Sequence, residues 1–416
     1  MIKVIWFEVT EPSRYKRDGR VVVGGWQDSL EEIVRSCQDI ELLIAFETSN
    51  PEAKVKAIDG ITYIPIYISY NLVERLRLHW SWIDYERNLV PACIRIVEKY
   101  SPDLIHVFGN EWPFGLVAQY TNIPVVIHIQ GAIVPYNDAS YPPGYNGYTL
   151  YKSRRWNIIK GIKQYNARQK WLSRMRMEYR IWRAVDNYMG RTEWDRSVAN
   201  VLHPGNHYYH VEEALRSSFI DGNKSWTYSQ RRMLRLITIG CSSYQKGMDM
   251  LLKTAYCLKR MGIEFEWKVA GCMSKEMLNV IEYTEGITFR DNNVEILGYT
   301  QPDELSDLLC SASLYVHTAY IENSPNSVCE SQCLGVPLVS TYVGGIATLV
   351  RNGIDGVLVP ANDPYQMANT IVELAADKDK LEMMSANTMS FARKRHNKLN
   401  ILNQLLACYK SILKIE

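Results

Sequence analysis

Two glutamates eight positions apart, Glu322 and Glu330, bracket the segment ENSPNSVCE. Ser324 can cap a helix whose first residue is Pro325, a position where proline's missing N–H costs nothing. Asn326, Ser327 and Val328 would then carry the unpaired N–H groups of the first turn, with Asn323 and Ser324 beside them, and such a helix start holds phosphate. A carboxylate before the helix can face a sugar ring, and one on its second turn can accept hydrogen bonds from vicinal hydroxyls such as those of ribose. Lys246, in the segment CSSYQKG, adds a cation that can neutralise a departing diphosphate. A solvated helix residue at Glu330 and a surface lysine beside a turn glycine would leave the same local pattern.

These residues need a scaffold that brings distant loops together. Short β-rich runs alternate with helical patterns: VIWFEV, ELLIAF, DLIHVF and VVIHIQ, then RLITIG, EWKVAG, VEILG and SLYVHT. That alternation predicts parallel sheets, which take ligands beyond the carboxyl ends of their strands. Lys246 follows one such run, Gly240, Gly271 and Tyr299 lie at the ends of others, and Glu322 follows SLYVHT. Gly335 is placed to stop the short helix, and Val343-Gly344-Gly345 lets a second backbone segment come close.

A chain of 416 residues is too long for one ordinary core, so two domains are expected. LHPGNHYYH and DGNKSW interrupt the periodicity, which puts the division near residue 205. The domains expected are 1–205 and 206–390, followed by a last helix, 391–416. A formal net charge of +2 excludes an argument from global charge, so charged partners must be sought in local clusters. Nine cysteines without paired spacing point to reduced thiols, and Cys329 and Cys333 to small buried residues. No apolar run reaches the ~20 residues of a membrane span.

The segment around Glu322 and Glu330 resembles the E-x7-E donor-binding motif of retaining glycosyltransferases of family 4. The resemblance implies a GT-B fold, an α/β architecture of two Rossmann-like domains facing across a cleft, with the last helix, 391–416, returning to the first domain. It implies transfer of a sugar from a nucleotide diphosphate sugar, UDP favoured over GDP, to a lipid-linked or saccharide acceptor with retention at the anomeric carbon, in surface polysaccharide assembly such as a capsule. No cofactor and no metal is expected, with Glu322 and Lys246 catalytic and Glu330 on the ribose. Lys246-Gly247 matches the family's Lys-Gly pair, but Cys241 stands where relatives carry a phosphate-binding arginine. Gly24, Gly25 and Trp26 resemble the glycine-rich loop beside donor and acceptor, and Gln130 replaces a common histidine. His128 shares a strand face with Gln130. His106 and Asn110 are candidates for the acceptor pocket, or His106 is a satisfied buried histidine. Arg191 either supplies charge across the cleft or pairs with Asp195.

Residues 151–184 hold eleven Lys and Arg against one acid, Glu178, interleaved with Trp and Tyr. The composition suits the headgroup region of an anionic membrane, with Arg174, Arg176 and Arg180 near phosphates. A helical hairpin packing its tryptophans inward has the same composition, as does a nucleic-acid surface. The membrane reading places the chain in the cytoplasm, on the inner face of the cell membrane, with no nucleic-acid partner. A GT-B nucleotide-sugar epimerase and a non-catalytic membrane-associated subunit are the alternative functions.

Overall fold

A computed structural model describes residues 1–16, 25–153, 157–230, 232–240 and 242–415. They form two compact units, 1–135 with 162–214 and 397–416, and 136–161 with 215–396.

The first unit is built on an eight-stranded sheet of β1 (Ile2–Glu8), β2 (Ile40–Thr48), β3 (Lys56–Ile58), β4 (Ile61–Tyr67), β5 (Leu104–Phe108), β6 (Val125–His128), β7 (Asn187–Gly190) and β8 (His207–His210), ordered β3-β4-β2-β1-β5-β6-β7-β8. Every pairing is parallel except β3 against β4. Central strands buried on both faces read as continuous apolar runs, and β1 does so. Ile5 and Phe7 enter one core with Tyr85, Leu89 and Val97, whereas Val4 and Trp6 enter another with Leu30, Ile33, Ile401 and Leu405. The final helix, Lys398–Leu413, is thus part of the first unit's core.

The second unit holds β9 (Leu234–Ile239), β10 (Phe265–Ala270), β11 (Val294–Gly298), β12 (Leu314–His317), β13 (Leu338–Thr341) and β14 (Val357–Val359) in an all-parallel sheet, ordered β11-β10-β9-β12-β13-β14. The chain runs outward from β9 to one edge and returns to begin again at β12. The loops after β9 and β12 therefore flank a topological switch point, where open α/β sheets form their crevice. In the first unit the same reversal falls between β1 and β5.

The expected division at residue 205 lies too early. Strand β8 pairs with β7, and Val211 donates to the Gly190 carbonyl (2.9 Å), so the first unit continues to Ala214. The second unit continues to His396 rather than 390, because the helix Lys378–Arg395 packs its Leu381 and Met384 in that unit's core. Residues 136–161 also go with the second unit, where Tyr145 donates to Glu285 (2.7 Å) and Leu150 is in the core. The basic segment 151–184 is accordingly divided at residue 161. No helix of the described residues is long and apolar enough to cross a membrane.

The helix Ile158–Ala184 turns several of its expected surface groups inward. Trp182 is fully buried and stacks on Tyr188, and the Arg174 guanidinium lies over the rings of Trp82, Trp112 and Trp171. Arg176 and Arg180 are exposed, and Arg180 pairs with Glu86 (2.6 Å). Trp156 lies outside the described residues. Glu178 is fully buried: it accepts from Asn110 Nδ2 (2.6 Å) and from the N–H groups of Ile133 (2.9 Å) and Val134 (2.7 Å).

Burial, with the nearby Glu111 carboxyl, raises the Glu178 carboxyl to about 8. The folded chain keeps this proton to higher pH than the unfolded chain, so stability falls as pH rises from the ordinary carboxylate range to about 8. Thermal unfolding of Glu178→Gln across that window is expected to show a shallower fall than the parent chain.

Candidate functional site

The β9 and β12 loops of the second unit meet through backbone contacts that leave little room. After β9, Tyr244–Lys246 forms one turn of 3₁₀ helix and Gly247 adopts φ +72°, where a Cβ would collide with the Thr318 carbonyl. Tyr320 N–H donates to Gln245 O (2.7 Å) and Thr318 Oγ1 to Lys246 O (3.2 Å), which fastens the two loops together. Lys246 Nζ then forms an ion pair with Glu322 Oε1. His317, at the carboxyl end of β12, places Nε2 3.7 Å from the same oxygen. Burial holds the His317 imidazole down to about 4, so it is neutral near pH 7 and leaves the pair's charge unchanged.

The loop after β13 closes on Glu322 from the other side. Gly345 N–H donates to Glu322 O (2.9 Å), and Gly344, at φ +49°, approaches so closely that a Cβ would strike the same carbonyl. Gly240 and Gly271 are a second close pair: a Cβ on Gly271 would collide with Gly240 O, and Gly271 N–H donates to Gly298 O (2.7 Å). They shape the strand ends. Tyr299 follows Gly298 and is exposed.

The helix behind Glu322 runs Asn326–Cys333. Its N-cap is Pro325, in extended conformation and without a side-chain cap, rather than Ser324; Ser324 Oγ lies 3.8 Å from Cys329 Sγ. Val328 N–H bonds back to Pro325 O (3.0 Å), so it is not one of the anion-facing donors. Asn326 and Ser327 remain at the open end of the helix, half-buried beside the buried Asn323 and Glu322. Gly335, at φ +74°, stops the helix: its N–H donates to Gln332 O (2.9 Å) and that of Val336 to Ser331 O (3.0 Å), the paired bonds of a Schellman turn. Cys329 and Cys333 pack in the core.

Glu330 is buried and both its oxygens are taken by one partner. Arg216 Nε donates to Oε1 and Nη2 to Oε2, each at 2.7 Å. Burial pushes the Glu330 carboxyl up and Arg216 pulls it down. The expected ribose anchor is thus a carboxylate already held bidentate by a guanidinium. Only lone pairs outside that fork are left for hydroxyls. Neither Arg216 nor His317 was among the expected site residues. The signal for His317 was a histidine near the end of SLYVHT; Arg216, more than a hundred residues before its partner, gave none.

The remaining candidates belong to the first unit. Trp26 opens the helix Trp26–Arg35, capped by the exposed Gly25; Gly24 and Cys241 lie outside the described residues. The Trp26 ring meets His128 (4.9 Å) and Phe108 (5.3 Å), and the Arg191 guanidinium sits 5.0 Å from its centroid. Arg191 is buried and its Nε lies 3.6 Å from Glu213 Oε2, while Asp195 accepts from the Arg191 backbone (3.0 Å). The expected Asp195 pairing is therefore a backbone cap, and the guanidinium's partner is Glu213. His106 does not line an acceptor pocket: it is fully buried, with Nδ1 2.6 Å from Tyr409 Oη, which also accepts from Trp6 Nε1 (3.0 Å). Asn110 is likewise buried, on Glu178. Burial, His106 and Arg191 hold His128 well below its ordinary value. Gln130 is half-buried beside Gly109.

Residues 234–377 match the family model for Glycosyl transferases group 1. The match spans β9 to β14 and contains Lys246, His317, Glu322 and Glu330. Curated relatives include a D-inositol 3-phosphate glycosyltransferase of Thermobispora bispora, 39% identical over 21% of each chain. The putative colanic acid biosynthesis glycosyltransferase WcaL of Salmonella typhimurium is 24% identical over 43% of this chain and 45% of its own. The chain thus spans well under two thirds of the length of these relatives. Among solved structures, sucrose-phosphate synthase of Thermosynechococcus elongatus superposes over 100% of both chains with TM-score 0.74 at 15% identity. HepE of Anabaena, in complex with UDP and glucose, covers 99% of this chain and 100% of its own, with TM-score 0.66 at 14% identity. These likenesses establish the fold, which is GT-B.

Two expectations follow from these contacts. Arg216→Gln leaves Glu330 buried without its partner, and chemical denaturation is expected to show a loss of about 3 kcal/mol; replacing both residues with Gln should restore part of it. Gly344→Ala should lower the unfolding midpoint, whereas Gly25→Ala, with nothing within 4 Å of the added Cβ, should leave it in place.

Proposed function

We propose that this chain is a retaining glycosyltransferase that moves a sugar from a nucleotide diphosphate sugar, UDP favoured over GDP, to a saccharide or lipid-linked acceptor in surface polysaccharide biosynthesis. One observation carries the reading: Lys246 and Glu322 are paired at the switch point of a Rossmann-like sheet, beside the open end of the helix Asn326–Cys333. The group 1 match over this unit and the names of WcaL and HepE support it.

In this reading the diphosphate takes the N–H groups of Asn326 and Ser327, with Lys246 as the counter-charge. The bond from the anomeric carbon to the diphosphate oxygen breaks, its electron pair leaves with that oxygen, and the acceptor hydroxyl oxygen forms the new bond on the same face. The hydroxyl proton passes to the departing phosphate. Each fixed donor to the developing negative charge contributes about 3 kcal/mol. Glu322 faces the sugar as positive charge grows there. It is not assigned as a covalent nucleophile, because Lys246 already neutralises it. Glu330, fixed by Arg216, accepts from the ribose hydroxyls. The proposed place of work is the cytoplasmic face of an anionic membrane.

Lys246→Ala and Glu322→Gln are each expected to lower sugar transfer from UDP-sugar about a hundredfold or more while circular dichroism stays unchanged. Parental rates in either variant would exclude this site.

A further inference from the structure

The helix Leu72–Arg77 follows the carboxyl end of β4, at the edge of the first unit's sheet where ligand loops lie. It is defined by a capping box, with Asn71 accepting from Glu74 N–H (3.0 Å) and Glu74 from Asn71 N–H (2.9 Å). None of its residues is buried. Leu72 is 78% exposed, Val73 61% and Leu76 60%, and Trp80 and Ile83 continue the apolar strip, 42% and 50% exposed. Local hydrogen bonds therefore hold a helix whose apolar side chains have no cover among the described residues. Scattered apolar surface residues are ordinary, but five within twelve residues, three of them on a helix with no buried residue, are not.

The charges around the strip select its partner. Arg75, Arg77, His79 and Arg87 are exposed. The acids of the same stretch are engaged: Glu74 in the capping box, Asp84 buried against Arg77 (2.8 Å) and Glu86 on Arg180 (2.6 Å). The strip also adjoins the basic helix, since Ser173 Oγ accepts from Trp82 N–H (3.0 Å) and Lys170 lies over the Trp82 ring (5.6 Å). A second copy of the chain would set these cations against one another. A bilayer with anionic headgroups takes both components, the apolar side chains in its outer acyl region and the guanidinium groups at the phosphates.

We infer that Leu72, Val73, Leu76 and Trp80 form an interfacial anchor that seats the first unit on an anionic lipid surface, a reading that rests on the proposed lipid-linked acceptor. The membrane contact then lies chiefly in the Leu72–Ile83 stretch, with the 162–184 helix as its basic flank.

Co-sedimentation of the full chain with vesicles of phosphatidylcholine, alone or with an equal amount of phosphatidylglycerol, tests this. The chain is expected to partition onto the mixed vesicles, and Leu72→Ser/Leu76→Ser to weaken that partition by roughly tenfold or more. Arg75→Gln and Arg87→Gln should each cost about fivefold on mixed vesicles and little on neutral ones. Equal sedimentation of parent and double-serine chains, or none by the parent, overturns the anchor. A thermal shift with UDP-sugar in the same preparations reads the transferase site separately. Loss of vesicle binding with the shift kept removes the anchor alone, and absence of the shift with vesicle binding kept removes the donor site alone.

Discussion

The contact on which the second unit's proposed chemistry depends is the ion pair between Lys246 and Glu322. It joins the loops after β9 and β12, the two strands at which the sheet order reverses. A pair this enclosed is costly to desolvate, so its geometry has to be held by the backbone around it. The glycines do this. Gly247 lets the lysine turn lie against Thr318, and Gly344 lets the loop after β13 lie against Glu322. Neutral His317 completes the enclosure without adding charge.

Opposed charges at a helix start suit a reaction in which charge separates. In the proposed reaction positive charge grows on a sugar beside a carboxylate while negative charge grows on a diphosphate beside a lysine and backbone dipoles. Arg216 gives Glu330 a different character from Glu322: a fully engaged, buried carboxylate is a fixed acceptor, suited to orienting hydroxyls rather than to changing its charge. The two glutamates are alike in sequence and differ in what their cations leave them to do.

The strand runs of both units and the glycine stop at Gly335 were legible because each is written in local pattern, alternation and a glycine at positive φ; Lys246 and Glu322 were legible as charges after strands, but not as an ion pair. What was not legible depends on contacts far apart in the chain. Arg216 finds Glu330 through the fold. Strands β7 and β8, NYMG and HYYH, are four residues each with no long apolar run, and are held by pairing onto β6 and β7. His106, open in the sequence between a pocket residue and a buried histidine, is the buried one, its Nδ1 on the hydroxyl of Tyr409, three hundred positions later. The basic tract was legible as composition only, since helix periodicity did not reveal that Arg174 would lie among three tryptophans or that Glu178 would be buried beneath it.

The central claim is that the open end of the helix Asn326–Cys333, with Lys246, receives a diphosphate. A crystal of the full chain soaked with UDP measures it directly. The account predicts the β-phosphate within hydrogen-bond distance of the Asn326 or Ser327 N–H and of Lys246 Nζ, with the ribose hydroxyls on Glu330. Diphosphate density elsewhere, with the Lys246–Glu322 pair closed and the helix end bare, would contradict it.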